Sequence, residues 1–272
     1  MAADARVPAV ASARTSWLST AVFVALNFLG VGAYIYPFLF SGVTDPANNW
    51  FAHNADGPLI MAVIAALCLL LIVSELTEGV LNSKSLAVLG VLAALAAVLR
   101  TITLPAGANL YFFPVILGGY VFGTRLGFLL GVLSFFLSAL VTAGIGPWLP
   151  FQMFAAGWMG LSAGALGHLL RGAPLRVEVG ALVVLGAAWG LLFGAITNLW
   201  FWPFVVSGPD ISYEPGLGLV ETVRRYWNFY LLTSLGWDLA RSVVTALVLL
   251  SVGIPLVKAL KRFHARFTWE RS

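Results

Sequence analysis

The sequence predicts an all-α integral membrane protein with about eight transmembrane helices, and three observations support this fold class. Of its 272 residues, 60% are hydrophobic and only 10% are charged, whereas soluble domains carry about a quarter charged residues. The mean hydropathy is +0.95. Several apolar runs reach about 20 residues, the length that crosses the hydrocarbon core of a bilayer. The bilayer is therefore the expected solvent of this chain.

The predicted spans are joined by short connections except for two longer outer loops, at residues 41–56 and 204–223. The Ala-rich stretch through Arg14 is expected to be a brief disordered cytoplasmic tail. The next apolar run is too long for a signal-peptide core and lacks a small-x-small cleavage site, so we expect an uncleaved helix. In order, the predicted spans cover residues 17–40, 57–75, 85–101, 110–123, 126–143, 150–170, 177–202 and 226–257.

The distribution of Lys and Arg predicts the orientation, because cytoplasmic loops hold the excess of these residues. Only Arg100, Arg224 and Arg225 fall on the outer side if both termini are cytoplasmic, and Arg241 lies within a span. The basic residues then on the inner side are Arg6, Arg14, Lys84, Arg125, Arg171, Arg176, Lys258, Lys261, Arg262, Arg266 and Arg271. We therefore expect a multi-pass protein of the cell membrane with an even number of spans.

Glycine spacing predicts close helix packing. Small residues four apart on a transmembrane helix allow two backbones to approach. The pattern recurs at Gly119/Gly123, Gly127/Gly131, Gly160/Gly164 and Gly186/Gly190/Gly194. The two spans before Lys84 are less patterned, so the chain divides into residues 1–84, a tail and two extra helices, and residues 85–272, a six-helix core with a basic cytoplasmic tail.

Several function classes are excluded or disfavoured by missing motifs. No G-x-x-x-x-G-K-[ST] phosphate loop occurs, so any ATP must be hydrolysed by another protein. The basic residues form no stripe that would suit a nucleic acid. The single Cys68 permits neither an internal disulfide nor a cysteine metal cluster, and no H-E-x-x-H motif is present. We expect no metal and no cofactor.

An intramembrane hydrolase is the enzymatic alternative. Residues 160–164 read G-L-S-A-G and match the G-x-S-x-G pattern, with Ser162 in the nucleophile position. Such an enzyme needs a histidine facing the serine from another helix. His168 is on the helix of Ser162 itself, while His53 and His264 lie in an outer loop and in the cytoplasmic tail. The sequence therefore favours a non-catalytic protein, with Ser162 as a small packing residue.

Polar residues inside the spans are the stronger functional signal, because a charge in the bilayer is costly. Asp238 and Arg241 are spaced i, i+3 and can meet on one helix face, either as a structural pair or in a binding site. Near the outer ends of the spans lie Arg100, Asn109, Gln152, Asn198 and Asn228, accompanied by Trp148, Trp158, Trp200, Trp202, Trp227 and Trp237. Two interpretations remain open: an interfacial aromatic belt, or an outward pocket for a ring-rich ligand.

The stretch from Leu110 to Gly167 carries a family resemblance. It contains G-G-Y-V-F-G at 118–123, G-F-L-L-G at 127–131 and G-P-W-L-P-F-Q-M at 146–153, followed by A-G-W-M-G at 156–160. With N-L-W-F-W-P at 198–203 and W-D-L-A-R at 237–241, this pattern resembles the substrate-binding S component of an energy-coupling factor (ECF) transporter, in the cobalamin-type branch. The resemblance begins near Ser85, and the two extra N-terminal helices depart from it.

The resemblance implies a vitamin-binding module that works with a T component and two cytoplasmic ATPase subunits. The ligand would be a corrinoid first and a thiamine-related compound second. The binding residues would be Arg100, Asn109, Trp148, Gln152, Asn198 and Asp238. The family docks to its T component through a face of small residues on the first core helix, which matches either Gly90/Ala94 or Ala93/Ala97 here. A purely structural membrane subunit is the remaining alternative.

Overall fold

A computed structural model describes residues 17–40, 56–78, 81–204 and 208–269. All regular structure in these ranges is helical, which confirms the all-α prediction. The helices are α1 (Trp17–Phe40), α2 (Asp56–Thr77), α3 (Ser83–Thr101), α4 (Phe112–Phe122), α5 (Thr124–Thr142), α6 (Leu149–Leu169), α7 (Leu175–Asn198), α8 (Leu219–Thr233) and α9 (Leu235–Trp269), with 3-10 turns at Pro105–Gly107 and Trp202–Phe204.

Seven membrane-crossing candidates are found among the described helices by length and composition. They include α1 to α5, α7 and α9. The 21 residues of α6 are long enough to cross, but this helix is rich in Gly and Ala and carries Gln152 and His168. Its buried position inside the bundle explains that composition, because a helix surrounded by protein does not have to face lipid.

The predicted last span, 226–257, is wrong in its boundaries. The chain forms the separate helix α8, interrupts its helix at Ser234 and restarts as α9, which continues to Trp269. The Ser234 hydroxyl accepts a hydrogen bond from the Asn198 amide at 2.6 Å. This bond ties the junction to the end of α7. The break separates an amphipathic surface helix from a true membrane-crossing helix.

Glycines bring α5 and α6 into backbone contact at the centre of the bundle, as their spacing predicts. A side chain at Gly160 would overlap the backbone of Gly127, and one at Gly131 would overlap the backbone of Ala156. Between α4 and α5, Gly123 takes a φ of 96°, which favours glycine and makes the sharp turn there possible. The chain therefore doubles back tightly before it packs on α6.

The first two helices are joined to the core by a buried polar cluster. Glu75 of α2 is 1% exposed and forms an ion pair with Arg125 at the start of α5. The Ser19 hydroxyl of α1 donates to Glu75 at 2.5 Å, and Arg125 also donates to Thr20 at 2.8 Å. Further along α1, the hydroxyl of Tyr34 donates to the carbonyl of Phe151 at 2.7 Å. These contacts integrate α1 and α2 with α5 and α6.

The alternation of the helices collects basic residues at one end of the bundle. We call this end the basic end. Lys261 of α9 bonds both carboxylate oxygens of Glu178 of α7 there, at 2.5–2.6 Å. The described basic residues of this end are Lys84, Arg125, Arg171, Arg176, Lys258, Lys261 and Arg262. The opposite end carries most of the polar residues predicted to bind a ligand.

Candidate functional site

Three phenylalanines from different helices form the floor of the candidate site in the half of the bundle away from the basic end. Phe135 of α5 stacks on Phe193 of α7 with ring centroids 5.7 Å apart, and Phe112 of α4 meets Phe193 edge-on at 5.2 Å. All three are at least 94% buried. We refer to them as the phenylalanine cluster. Their negative ring faces attract cations.

Arg100, near the end of α3 and one of the predicted binding residues, lies on this cluster. Its guanidinium carbon is 4.1 Å from the centroid of Phe135. One guanidinium nitrogen donates to the Ser138 hydroxyl at 3.0 Å. The contact with Phe135 and the bond to Ser138 hold the guanidinium in place. Its other N–H groups donate no hydrogen bond to the residues that the structure describes.

The predicted Asp238–Arg241 pair lies on the same cluster. Arg241 donates to Asp238 Oδ1 at 2.6 Å, and its guanidinium carbon is 5.3–5.5 Å from the rings of Phe193 and Phe112. Asp238 is 2% exposed and faces Gly194 of α7, where any added side chain would overlap the carboxylate. Glycine spacing in α7 therefore provides the space in which this charge pair sits.

Asn109 and Asn198 hold the backbone around the cluster. Asn109 accepts a hydrogen bond from the backbone N–H of Tyr111 at 3.1 Å. The ring of Tyr111 meets Phe135 edge-on at 5.1 Å, and its hydroxyl donates to the Gly131 carbonyl at 3.0 Å. Asn198 bonds Ser234 as described above. Both asparagines therefore act on the position of their neighbours.

Trp148 and Gln152 lie apart from the phenylalanine cluster, at the beginning of α6. The Trp148 indole is 39% exposed and donates to the Gly144 carbonyl at 3.3 Å. Gln152 is half-buried, and none of the residues that the structure describes hydrogen bonds its side-chain amide. The structure thus brings Arg100 and Asp238 together and leaves these two residues on a separate rim.

The tryptophans divide between the two interpretations that the sequence left open. Trp227 and Trp237 are more than half exposed, as expected for an interfacial belt. Trp202 is buried, and its indole donates to the Ile211 carbonyl at 2.8 Å. Trp200 stacks on Phe151 at 5.6 Å. Trp200 and Trp202 therefore pack between α6, α7 and α8, while Trp227 and Trp237 are exposed on the surface of the bundle.

Sequence reasoning missed the phenylalanine cluster and left Arg241 out of the binding residues. Phenylalanine is common in any membrane helix, so Phe112, Phe135 and Phe193 carry no individual signal. The signal in the sequence was that two arginines, Arg100 and Arg241, lie in or next to apolar spans in a chain whose other spans contain phenylalanines. Only the packing of five helices shows that the two guanidiniums share one aromatic surface.

The family of this chain is decided by a family model. The model described as "ECF transporter, substrate-specific component" matches residues 84–253, which is well over half of the chain. The chain belongs to this family. No curated protein matches it, and no solved structure does. The match begins at the start of α3, so α1 and α2 lie outside the matched region.

The two predicted docking registers of this substrate-specific component lie on different faces of α3. Ala93 and Ala97 are at most 2% exposed and point into the bundle. Gly90 and Ala94 are exposed, and a side chain built at Gly90 would meet no atom within 4 Å. Close to this face, an apolar groove of about 450 Å³ runs between α3 and α9, lined by Ala87, Val91, Leu260 and Phe263 among others. Only the Gly90/Ala94 face is open to another protein.

Ser162, the candidate nucleophile, is engaged in packing. Its hydroxyl donates to the Met159 carbonyl at 2.8 Å and accepts a hydrogen bond from the Trp189 indole at 2.7 Å. His168 Nδ1 is hydrogen-bonded to the Gly164 carbonyl at 2.9 Å, one turn back on its own helix. His53 lies outside the described residues. These bonds give the Ser162 hydroxyl a structural role between α6 and α7.

The α8 segment has an ion network outside the membrane-crossing helices. Arg224 and Arg225 both donate to Glu221, and Arg225 also reaches Glu214 at 3.1 Å. The hydrogen bond from Arg224, followed by that from Arg225, lowers the pKa of Glu221 to about 2 from its ordinary value of 4.5. The network links α8 to the preceding loop.

We predict that this network responds to pH only under strongly acidic conditions. A folded-state pKa below the unfolded value means that Glu221 contributes stability above about pH 4.5, and that this contribution is lost as the pH falls towards 2. A carbon-13 titration of the Glu221 carboxyl should show the low midpoint in the wild type. The midpoint should return towards 4.5 in the Arg224→Gln/Arg225→Gln variant, and an unchanged midpoint would contradict the assignment.

Proposed function

We propose that the chain captures a vitamin or related micronutrient outside the cell and delivers it through a T component driven by two separate ATPase subunits. The observation that carries the proposal is the group of three charged residues, Arg100, Asp238 and Arg241, on one buried aromatic surface within a substrate-specific component. Charged groups are kept inside a membrane protein chiefly for function or pairing. Aromatic faces suit a ring-bearing ligand.

The proposed orientation places the basic end in the cytoplasm. The excess of Lys and Arg at that end supports it, and both termini would then be cytoplasmic. The site with Arg100 and Asp238 would open outwards, supported by Asn109 and Asn198, and the ligand would reach Trp148 and Gln152 only if it extended to the start of α6. No bond of the ligand would be broken. The resemblance to the cobalamin-type branch supports a corrinoid first, and a thiamine-related compound second.

The capture function is tested with the purified full-length chain alone. We expect a small molecule to co-purify with it or to bind saturably, as detected by mass spectrometry and by titration with corrinoids and other vitamins. Reconstitution with a T component and its ATPases should then give ATP-dependent uptake. A chain that binds no vitamin or corrinoid and supports no uptake would refute the proposal.

The docking part of the proposal assigns the exposed Gly90/Ala94 face of α3 to the T component. Small residues there allow another helix to approach closely without displacing side chains. A contact that forms and dissolves in each transport cycle requires such a surface to stay open. The exposure of Gly90 supports this register over the buried Ala93/Ala97 pair.

We predict that Gly90→Leu separates capture from transport. The leucine has free space within the chain, so folding and ligand binding should be retained, while the approach of the T component is blocked. Uptake should fall about tenfold or more, equivalent to about 1.4 kcal/mol of lost association. Gly180→Leu, at another open helix position on α7, is the matched control and should transport normally. Equal uptake by both variants would contradict the docking face.

A further inference from the structure

Among the described residues, the charges at the phenylalanine cluster do not balance. Arg100 and Arg241 bring two positive charges, while Asp238 brings one negative charge. The carboxylate of Asp238 is bound to Arg241 at 2.6 Å. Among the residues that the structure describes, no Asp or Glu pairs with Arg100. The residues that the structure describes therefore leave a net positive charge at the phenylalanine cluster.

Arg100 also has hydrogen-bond donors that no described residue uses. A guanidinium has five N–H donors in a planar fork. Arg100 uses one of them on Ser138, and its guanidinium carbon lies over the Phe135 ring, 4.1 Å from the centroid. The stacking and the single hydrogen bond restrict its rotation. An oriented fork of this kind matches the two oxygens of a carboxylate or phosphate.

From this we infer that the ligand carries an oxyanion, a carboxylate or phosphate, which binds Arg100 while its rings or apolar part lie against the neighbouring aromatic residues. The inference rests on the proposed capture function and specifies the chemical class of its ligand. A positively charged ligand such as unmodified thiamine is disfavoured, because it would add a further charge to an already cationic site. An acidic ligand completes the charge balance.

The alternative source of the oxyanion is a phospholipid headgroup. Arg100 lies in the last turn of α3, at the level where a headgroup phosphate can approach an arginine. We favour the ligand because the guanidinium lies over the buried ring of Phe135 and bonds Ser138 of α5, inside the bundle. A headgroup and a ligand offer the same oxygen chemistry, so the experiment has to separate them.

The test uses matched pairs of probes on the purified full-length chain, and in each pair the acidic member carries a carboxylate or phosphate that the control member lacks. The pairs, acidic member first, are nicotinate and nicotinamide, biotin and biotinamide, thiamine monophosphate and thiamine, and cyanocobalamin, which carries a phosphodiester, and dicyanocobinamide, which does not. We expect the acidic member of at least one pair to bind about 10- to 100-fold more tightly, the range of one charge-assisted hydrogen-bonding contact. Arg100→Gln should abolish this difference, and Arg100→Lys should retain part of it.

Two controls protect the interpretation. Arg171→Gln removes an exposed arginine at the basic end and should leave the preference for the acid unchanged. The thermal midpoint of every variant reports whether it is folded, and Arg100→Lys keeps the charge if Arg100→Gln does not fold. Native mass spectrometry of the wild type and Arg100→Gln shows whether a phospholipid is retained through Arg100.

The possible outcomes are distinct. Equal binding of the acidic and control members by the wild type, or a preference for the acidic member that survives in Arg100→Gln, would overturn the inference but leave the capture function intact. A phospholipid retained by the wild type and lost from Arg100→Gln would overturn it by assigning the oxyanion to lipid. No binding of any of the eight probes, together with no co-purified ligand, would refute the proposed function and the inference with it.

Discussion

Replacing Glu75 with alanine is expected to lower the free energy of unfolding by about 3 kcal/mol, because it leaves the Arg125 guanidinium without its partner. Glu75 is 1% exposed and also accepts from the Ser19 hydroxyl, so three helices lose a shared contact. For a chain of this size the thermal midpoint should fall by about 6–12 °C. Thermal unfolding in detergent, followed by circular dichroism, measures the change.

A double-mutant cycle separates the ion pair from general damage to the packing. The cycle compares Glu75→Leu and Arg125→Met, each alone, with the double variant. The double variant removes both charges and should recover most of the stability that either single variant loses. Glu221→Gln is the control for an exposed ion pair and should change the midpoint far less. A midpoint for Glu75→Ala as high as that of Glu221→Gln would show that α1 and α2 are not held by this cluster.

Gly160→Leu is expected to prevent correct folding, because the backbone of Gly127 occupies the space that the side chain would need. Even Gly160→Ala requires α5 and α6 to move apart, and overpacking of this kind costs about 1–3 kcal/mol. The yield of monodisperse protein and the thermal midpoint measure both effects. Losses of this size identify the contact as part of the permanent core.

The matched control for the glycine contact is Gly180→Ala on α7. A side chain at Gly180 would meet no atom within 4 Å, and alanine favours the helix over glycine. This variant should therefore be as stable as the wild type or slightly more stable. If Gly160→Ala behaved like Gly180→Ala, the close contact between α5 and α6 would be wrong.

The sequence analysis selected the charged residues of the candidate site and did not select its phenylalanines. Arg100 and Asp238 were identified because a charge in an apolar run is rare and costly. Phe112, Phe135 and Phe193 lie on three helices, and no local pattern relates residues so far apart in the chain. Trp148 and Gln152 were grouped with Arg100 by their depth in the spans, but depth does not specify which side of the bundle a residue occupies.

The sequence by itself determined that the protein lies in a lipid bilayer and where its membrane-crossing helices approximately begin and end. It also indicated which glycines lie at helix contacts, because hydrophobicity and residue size can be read position by position. Tertiary structure decided which of the two small-residue registers on α3 is exposed, since only the packing of α3 against the bundle buries Ala93 and Ala97. It also decided that the helix breaks at Ser234, where the amide of Asn198 on another helix provides the stabilising bond. That no described carboxylate pairs with Arg100 also belongs to the tertiary structure, because it depends on which acidic residues the fold brings near.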